Sequence, residues 1–205
     1  MMKKILVIVM VLVMVASLCA CGGGGTPEEQ LTSYIEKNGS QSGEVYEYIY
    51  AAGGELIKEN SPMGNMGNNS AAMTTEEICI LSIEEGNLYI EVIDKESSNN
   101  GITMDRGVKL NILEGTADYH NSLIYNGMDM GGTMEVQVPV SGYTADAMPT
   151  IVSSKFASGS NVTDAMKNAM QGYVNLTMDC FVSFVEDELG LTVADFGYEK
   201  YVPAK

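Results

Sequence analysis

The stretch that decides the fold is Ile78–Ile93, ICILSIEEGNLYIEVI, in which two apolar, β-branched runs flank Glu85-Gly86-Asn87. Such runs on either side of turn-forming residues are typical of a β-hairpin. Further strand-like runs follow at Val108–Leu113, Ser122–Tyr125, Thr133–Val140 and Thr150–Phe156. Because the connections between these runs are short, we predict an antiparallel sheet.

A long helix is predicted over Val162–Leu189, with Asn161 as its N-cap and Gly190 as its left-handed C-cap. Its apolar residues recur at the spacing of one broad helical stripe. The members of this stripe are Val162, Met166, Ala169, Met170, Tyr173, Thr177, Cys180, Phe181, Phe184 and Val185.

A shorter helix is predicted to begin at Thr26-Pro27-Glu28-Glu29, which forms a capping box with proline at the first helical position. It is expected to end at Asn38-Gly39. The fold class predicted from all of these segments is α+β, an antiparallel sheet covered by a long C-terminal helix, with a short N-terminal helix.

Other segments are less regular. Glu44–Asn60 combines helical and strand periodicity, and we favour helix for part of it. We predict a flexible loop at 61–74, which contains SPMGNMGNNS, and a polar loop at Lys95–Gly101. The last segment, Leu191–Val202, is expected to be a closing strand or a packed tail anchored by Phe196, Tyr198 and Tyr201.

The N-terminus carries the pattern of a secretion signal. Lys3 and Lys4 precede the apolar run ILVIVMVLVMVA at Ile5–Ala16, which is shorter than the roughly 20 residues that span a bilayer. The stretch Leu18-Cys19-Ala20-Cys21 then resembles the lipobox of bacterial lipoproteins. This resemblance implies a signal peptide at residues 1–20, a lipidated Cys21 and a glycine-rich tether at 21–26.

The rest of the chain, residues 27–205, is expected to form a single α+β domain. Cleavage after Ala20 leaves 27 acidic against 9 basic residues, a formal charge of −18. Nucleic-acid binders carry basic patches, so we expect no nucleic-acid partner. The lipidated chain is expected at the outer face of the cell membrane, held there by acyl chains such as palmitate.

Common catalytic signatures are missing from the sequence. The one histidine, His120, lies in the polar stretch ADYHNS and is expected to be a solvent-exposed loop residue. One histidine argues against a multi-histidine zinc site and against a catalytic histidine base, and the sequence contains neither G-x-S-x-G nor a P-loop motif. We therefore predict a non-enzymatic protein without a cofactor and with no catalytic residues.

Cys79 and Cys180 fall among apolar residues of a predicted strand and of the long helix. One interpretation is a disulfide that closes a loop of about 100 residues and stabilises the fold by roughly 4 kcal/mol. The other is a pair of buried, unpaired thiols. Both interpretations remain open at this point.

Two weak metal hypotheses come from loop composition. Met63, Met66, Met128, Met130 and Met134 lie in Gly/Asn-rich stretches, and thioethers are ligands that select Cu(I). Asp94–Gly101 places oxygen ligands at alternate positions as a calcium loop does, but it lacks the closing glutamate.

The runs LTSYIEKN at Leu31–Asn38 and LGLTVADFGYEKY at Leu189–Tyr201 resemble small uncharacterised lipoproteins of Gram-positive anaerobes. The predicted function is that of an extracytoplasmic, lipid-anchored module of a Gram-positive envelope, which binds a ligand, a cell-wall component or a protein. The alternatives are a copper- or calcium-binding lipoprotein and, third, a hydrolase that uses carboxylates.

Overall fold

The computed structural model describes residues 25–57, 73–98, 102–125, 127–157, 159 and 161–203. Its centre is a nine-stranded antiparallel sheet in which eight strands follow the order β1-β2-β3-β4-β5-β6-β8-β9, and β7 pairs with β6 alone. The strands are β1 (Ser40–Ser42), β2 (Val45–Ile57), β3 (Met73–Glu84), β4 (Asn87–Ser98), β5 (Thr103–Asn111), β6 (Thr116–Tyr125), β7 (Met128–Asp129), β8 (Gly132–Gln137) and β9 (Thr150–Phe156).

The β3–β4 hairpin confirms the prediction made from Ile78–Ile93. Its last pair is Glu84 opposite Asn87, and the two turn residues, Glu85 and Gly86, have φ values of 51° and 81°. Positive φ at both central residues is typical of a type I′ turn, whose twist matches that of the flanking strands. The register places Cys79 opposite Val92 and Leu81 opposite Ile90, so the buried apolar residues of both strands share one face.

Two helices accompany the sheet, α1 (Pro27–Asn38) and α2 (Asp164–Phe184). The Thr26 capping box of α1 is confirmed, with Glu29 N donating to Thr26 Oγ1 at 3.3 Å. The N-cap prediction for α2 is wrong, because Thr163 caps it instead of Asn161 and accepts a hydrogen bond from Met166 N.

The C-terminal end of the long helix also differs from the prediction in its detail. The α-helix ends at Phe184, and a π-helical turn at Val185–Leu189 continues it. Gly190, with a φ of 65°, then ends the turn in the left-handed conformation, as expected.

Both helices contribute to one core on one face of the sheet. Leu31 and Ile35 of α1 and Met170, Val174 and Phe181 of α2 are fully buried there. The C-terminal tail packs into the same core and is anchored by all three predicted residues. The centre of the Phe196 ring lies 5.1 Å from that of Phe181. The hydroxyl groups of Tyr198 and Tyr201 donate to the backbone oxygens of Ile112 and Asn175. The α+β architecture of a sheet covered by a long C-terminal helix is thus confirmed.

Three local predictions are wrong. β2 is a strand where we favoured helix, because it pairs with β3 along its length and Tyr48 and Tyr50 pack against Phe184. The predicted polar loop begins too early, since Lys95–Ser98 continue β4. Of the predicted flexible loop, Met73 and Thr74 belong to β3, and residues 61–72 lie outside the described part of the chain.

Candidate functional site

The face of the sheet opposite the two helices carries a mixture of charged and aliphatic side chains, and we call it the open face. Within the described residues, no helix packs on it. Strand alternation and the register place the following side chains there: Glu47, Ile49, Glu76, Ile78, Ile80, Ser82, Glu84, Tyr89, Glu91, Ile93, Lys95, Asp105, Lys109, Asp118, His120, Thr133, Glu135, Ser153 and Lys155.

Lys109 of β5 is the central cation of the open face. Its Nζ lies 2.5 Å from Glu84 Oε1 and 4.8 Å from the centre of the Tyr89 ring. Ser82 Oγ donates to the same Glu84 oxygen at 3.1 Å. Because both partners of this ion pair are about three-quarters buried, with 27% and 30% of the side chains exposed, the pair is better shielded from solvent than a surface pair.

Glu91 of β4 lies directly opposite Lys109 in the register. Burial raises the pKa of its carboxyl group, while the positive charges of Lys109 and His120 act in the opposite direction. Glu84 and Glu47 add to the upward shift through repulsion. A half-buried carboxylate with a raised pKa indicates a position where the fold tolerates an unfavourable charge, which is common at binding sites.

Glu91→Gln is expected to raise the free energy of unfolding at neutral pH. Since the folded state holds the proton more tightly than the unfolded chain does, ionisation of Glu91 makes the protein less stable as the pH rises above the ordinary value of 4.5. The gain from the substitution should therefore shrink on acidification and vanish below that value. Urea unfolding of the full chain between pH 4 and pH 8 measures it.

The exposed Glu44 provides the matched control for this experiment. Glu44→Gln removes the same formal charge at a turn and so controls for the change in net charge. A Glu91→Gln variant whose stability follows the parent protein at every pH would contradict the assignment of a raised pKa.

His120 lies on β6 with a partner, and the prediction of a solvent-exposed loop histidine is wrong. Its Nε2 lies 2.9 Å from Asp105 Oδ1, and about a third of its side chain is exposed. The ring lies across Gly107, because a Cβ at that position would come within 2.8 Å of His120 Cε1. The register places Gly107 opposite His120, so the missing side chain makes room for the imidazole.

Aliphatic residues form the part of the open face nearer to β2. Ile49 of β2 is 60% exposed and pairs with Ile80 of β3, while Ile78 pairs with Ile93 of β4. The last three are half-buried. An aliphatic area beside a charged one suits an amphipathic partner better than a small, fully polar one.

The charge of the open face is negative. The carboxylates of Glu47, Glu76, Glu84, Glu91, Asp105, Asp118 and Glu135 outnumber the ammonium groups of Lys95, Lys109 and Lys155. This agrees with the strongly acidic sequence and favours a positively charged partner.

Sequence reasoning did not find this site, although one signal was present. In Leu88–Ile93, Tyr89, Glu91 and Ile93 alternate with the core residues Leu88, Ile90 and Val92. That alternation separates two faces, but it does not show that helices cover only one of them.

The two cysteines singled out in the sequence are brought together. Cys79 of β3 is buried, Cys180 of α2 is half-buried, and both are free thiols that lie close enough for each to shift the pKa of the other. Both therefore stand in the structure as free thiols, and whether they form a disulfide in the protein stays a prediction.

Of the methionines in the copper hypothesis, the described ones do not form a group. Met134 of β8 is 1% exposed and belongs to the core, whereas Met128 and Met130 are 63% and 50% exposed. Burial of Met134 against the sheet removes it from a loop cluster with the other two. Met63 and Met66, like the lipobox cysteine Cys21, lie outside the described residues.

The oxygen ligands of the proposed calcium loop are engaged elsewhere. Asp94 and Glu96 both accept hydrogen bonds from Arg106, at 2.8 Å for Asp94 Oδ2, and Tyr173 donates to Asp94 at 2.6 Å. In the described part of the chain, no three His, Cys, Asp or Glu side chains are grouped in a way that would hold a metal ion.

Comparisons with protein-family models, with curated proteins and with solved structures find no match for this chain. In the ranges that the structure describes, neither helix has the length and apolar character needed to cross a bilayer.

Proposed function

We propose that this chain is a lipid-anchored binding module of the bacterial envelope, which holds a positively charged, amphipathic protein segment on its open face. The observation that carries the proposal is the exposure of one sheet face bearing Ile49 next to an excess of carboxylates. The lipobox at Leu18–Cys21 supports the location, since it directs a lipoprotein to the outer face of the membrane.

The charge distribution supports a cationic protein segment as the occupant. Carboxylates on both sides of Lys109, including Glu91 and Asp118 opposite it on the neighbouring strands, attract basic side chains. The aliphatic area around Ile80 and Ile93 provides apolar surface for the uncharged side chains of the same segment. A second acidic copy of this chain would meet this face with like charge, which disfavours self-association through it.

The carboxylate-dependent hydrolase remains an alternative prediction. Glu91 has the raised pKa that an acid catalyst would need, but it lies on a sheet face next to the Lys109 ammonium group. A metal-binding role has less support, because Met134 is buried and Asp94 is bound to Arg106.

Site-specific photocrosslinking in cells that express the lipidated chain tests the proposal. A photoreactive amino acid at position 49 is expected to capture a protein segment rich in Lys or Arg, identified by mass spectrometry of the crosslinked peptide. The same photoreactive amino acid in place of Val202, which is 67% exposed and lies outside the open face, should not capture that segment.

Charge reversal strengthens this experiment. Glu47→Lys combined with Asp118→Lys changes two exposed residues of the open face and should lower the yield of the adduct at position 49 by at least about tenfold. Glu186→Lys introduces a positive charge on the helical side and should leave the yield unchanged. An adduct with an acidic segment, with a second copy of this chain, or with a yield that does not depend on these charges would overturn the proposal.

A further inference from the structure

Cys79 and Cys180 form a contact between the sheet and the long helix that the open face does not involve. Their positions are about 100 residues apart in the sequence, yet both pack into one core and their thiols lie close enough for each to shift the pKa of the other. Only 2% of Cys79 is exposed, whereas Cys180 is half-buried at the edge of the core. One residue of the pair is thus partly accessible to solvent, and the other is buried.

We propose that Cys180 and Cys79 act as a reversible dithiol–disulfide pair, in which Cys180 reacts with an external disulfide and Cys79 resolves the product. The oxidant is a disulfide of chemical class R–S–S–R, either a small molecule or the active-site disulfide of a thiol oxidoreductase. Extracytoplasmic compartments supply such oxidants.

The exchange balances in two steps. The Cys180 thiolate attacks one sulfur of the oxidant, forming a mixed disulfide and releasing one thiolate, RS⁻. The Cys79 sulfur, once deprotonated, attacks Cys180 Sγ, so that the Cys79–Cys180 bond forms and a second RS⁻ leaves. The oxidant takes up two electrons, and the two protein thiols lose two protons.

The difference in exposure between buried Cys79 and half-buried Cys180 assigns these two roles, and the pKa directions of the two thiols agree with it. The hydrogen bond from Cys79 lowers the pKa of Cys180, although burial and the nearby charges of Glu77 and Asp179 oppose this effect. The same hydrogen bond, together with burial and repulsion from Glu77, raises the pKa of Cys79. Exposure and thiolate character therefore coincide at Cys180, which is the combination that makes a cysteine reactive.

The test uses the full chain, reduced under native conditions and then treated with oxidised glutathione. Peptide mapping after alkylation separates Cys79 and Cys180 from Cys19 and Cys21. We expect an intramolecular Cys79–Cys180 bridge that dithiothreitol reverses. In the reduced protein, a small alkylating reagent should modify Cys180 at least about tenfold faster than Cys79.

Single substitutions separate the roles of the two residues. Cys79→Ser, or Cys79→Ala should the serine variant fail to fold, is expected to accumulate glutathione on Cys180 because the resolving thiol is gone. Cys180→Ser should leave Cys79 unmodified. The proposal is overturned if Cys79 reacts as fast as Cys180, if Cys180→Ser leaves Cys79 free to form a mixed disulfide, or if oxidation links two chains instead of the two residues.

Discussion

Cys21→Ser is expected to release the chain from the membrane and to abolish its lipid modification. The lipobox resemblance implies that the Cys21 sulfur carries a diacylglyceryl group, and a serine hydroxyl would not replace that thioether. Each buried methylene contributes about 0.8 kcal/mol to membrane attachment, and two acyl chains are needed for stable anchoring. Loss of both chains should move almost all of the protein from the membrane pellet to the soluble fraction.

Cys19→Ser is the matched control, because Cys19 lies within the same box and is not the expected lipidation site. If Cys19 were lipidated, Leu18 would stand at the cleavage position, where the lipobox has a small residue. This variant should keep both the membrane location and the mass of a diacylated N-terminal cysteine. Intact mass and fractionation measure both variants. Retention of the Cys21→Ser chain in the membrane with residues 1–20 still attached would identify an uncleaved anchor and refute lipidation.

The elements that sequence patterns predicted well are those whose local signal and tertiary role agree. Ile78–Ile93 alternates as a strand and contains its own turn, so the β3–β4 hairpin depends on no distant residue. The long helix likewise has a broad apolar stripe, although Thr163 replaces the predicted Asn161 as its cap. Val174 and Met178 also belong to the core, although the predicted stripe did not include them.

β2 shows why the remaining elements could not be predicted. Val45, Ile49, Ala52 and Leu56 follow helical spacing, while Tyr46, Tyr48 and Tyr50 alternate as a strand does. Two distant contacts decide between these patterns. β3 provides backbone partners along the length of β2, and Phe184 of α2 packs against Tyr48 and Tyr50, with ring centres 6.0 and 5.3 Å apart.

The candidate site was hidden for a similar reason. Glu91, Lys109 and His120 are scattered along the sequence, and the register of three strands places them near one another. Strand alternation shows that these residues share a face with Ile80 and Ile93. Whether that face is open depends on where α1 and α2 pack, and a single helix sequence does not specify this.

Gly115→Ala is expected to lower the free energy of unfolding by roughly 2–5 kcal/mol. Gly115 follows β5 and has a φ of 72°, a conformation that costs a residue with a Cβ about 1–2 kcal/mol. A Cβ there would also lie 2.2 Å from Val138 O and 2.8 Å from Val140 Cγ2. The carbonyl cannot move away freely, because Val138 N donates to Gly115 O at 2.7 Å, and such overpacking adds roughly 1–3 kcal/mol.

Gly43→Ala separates the two causes. Gly43 has a similar φ of 65°, but a Cβ at that exposed turn would have no atom within 4 Å. It should therefore cost about 1–2 kcal/mol, the conformational part alone. Urea unfolding of both full-length variants gives the difference, which measures how tightly the Gly115 turn packs against the strand end at Val138. Equal losses would show that this contact relaxes and that the turn is held by its backbone conformation only.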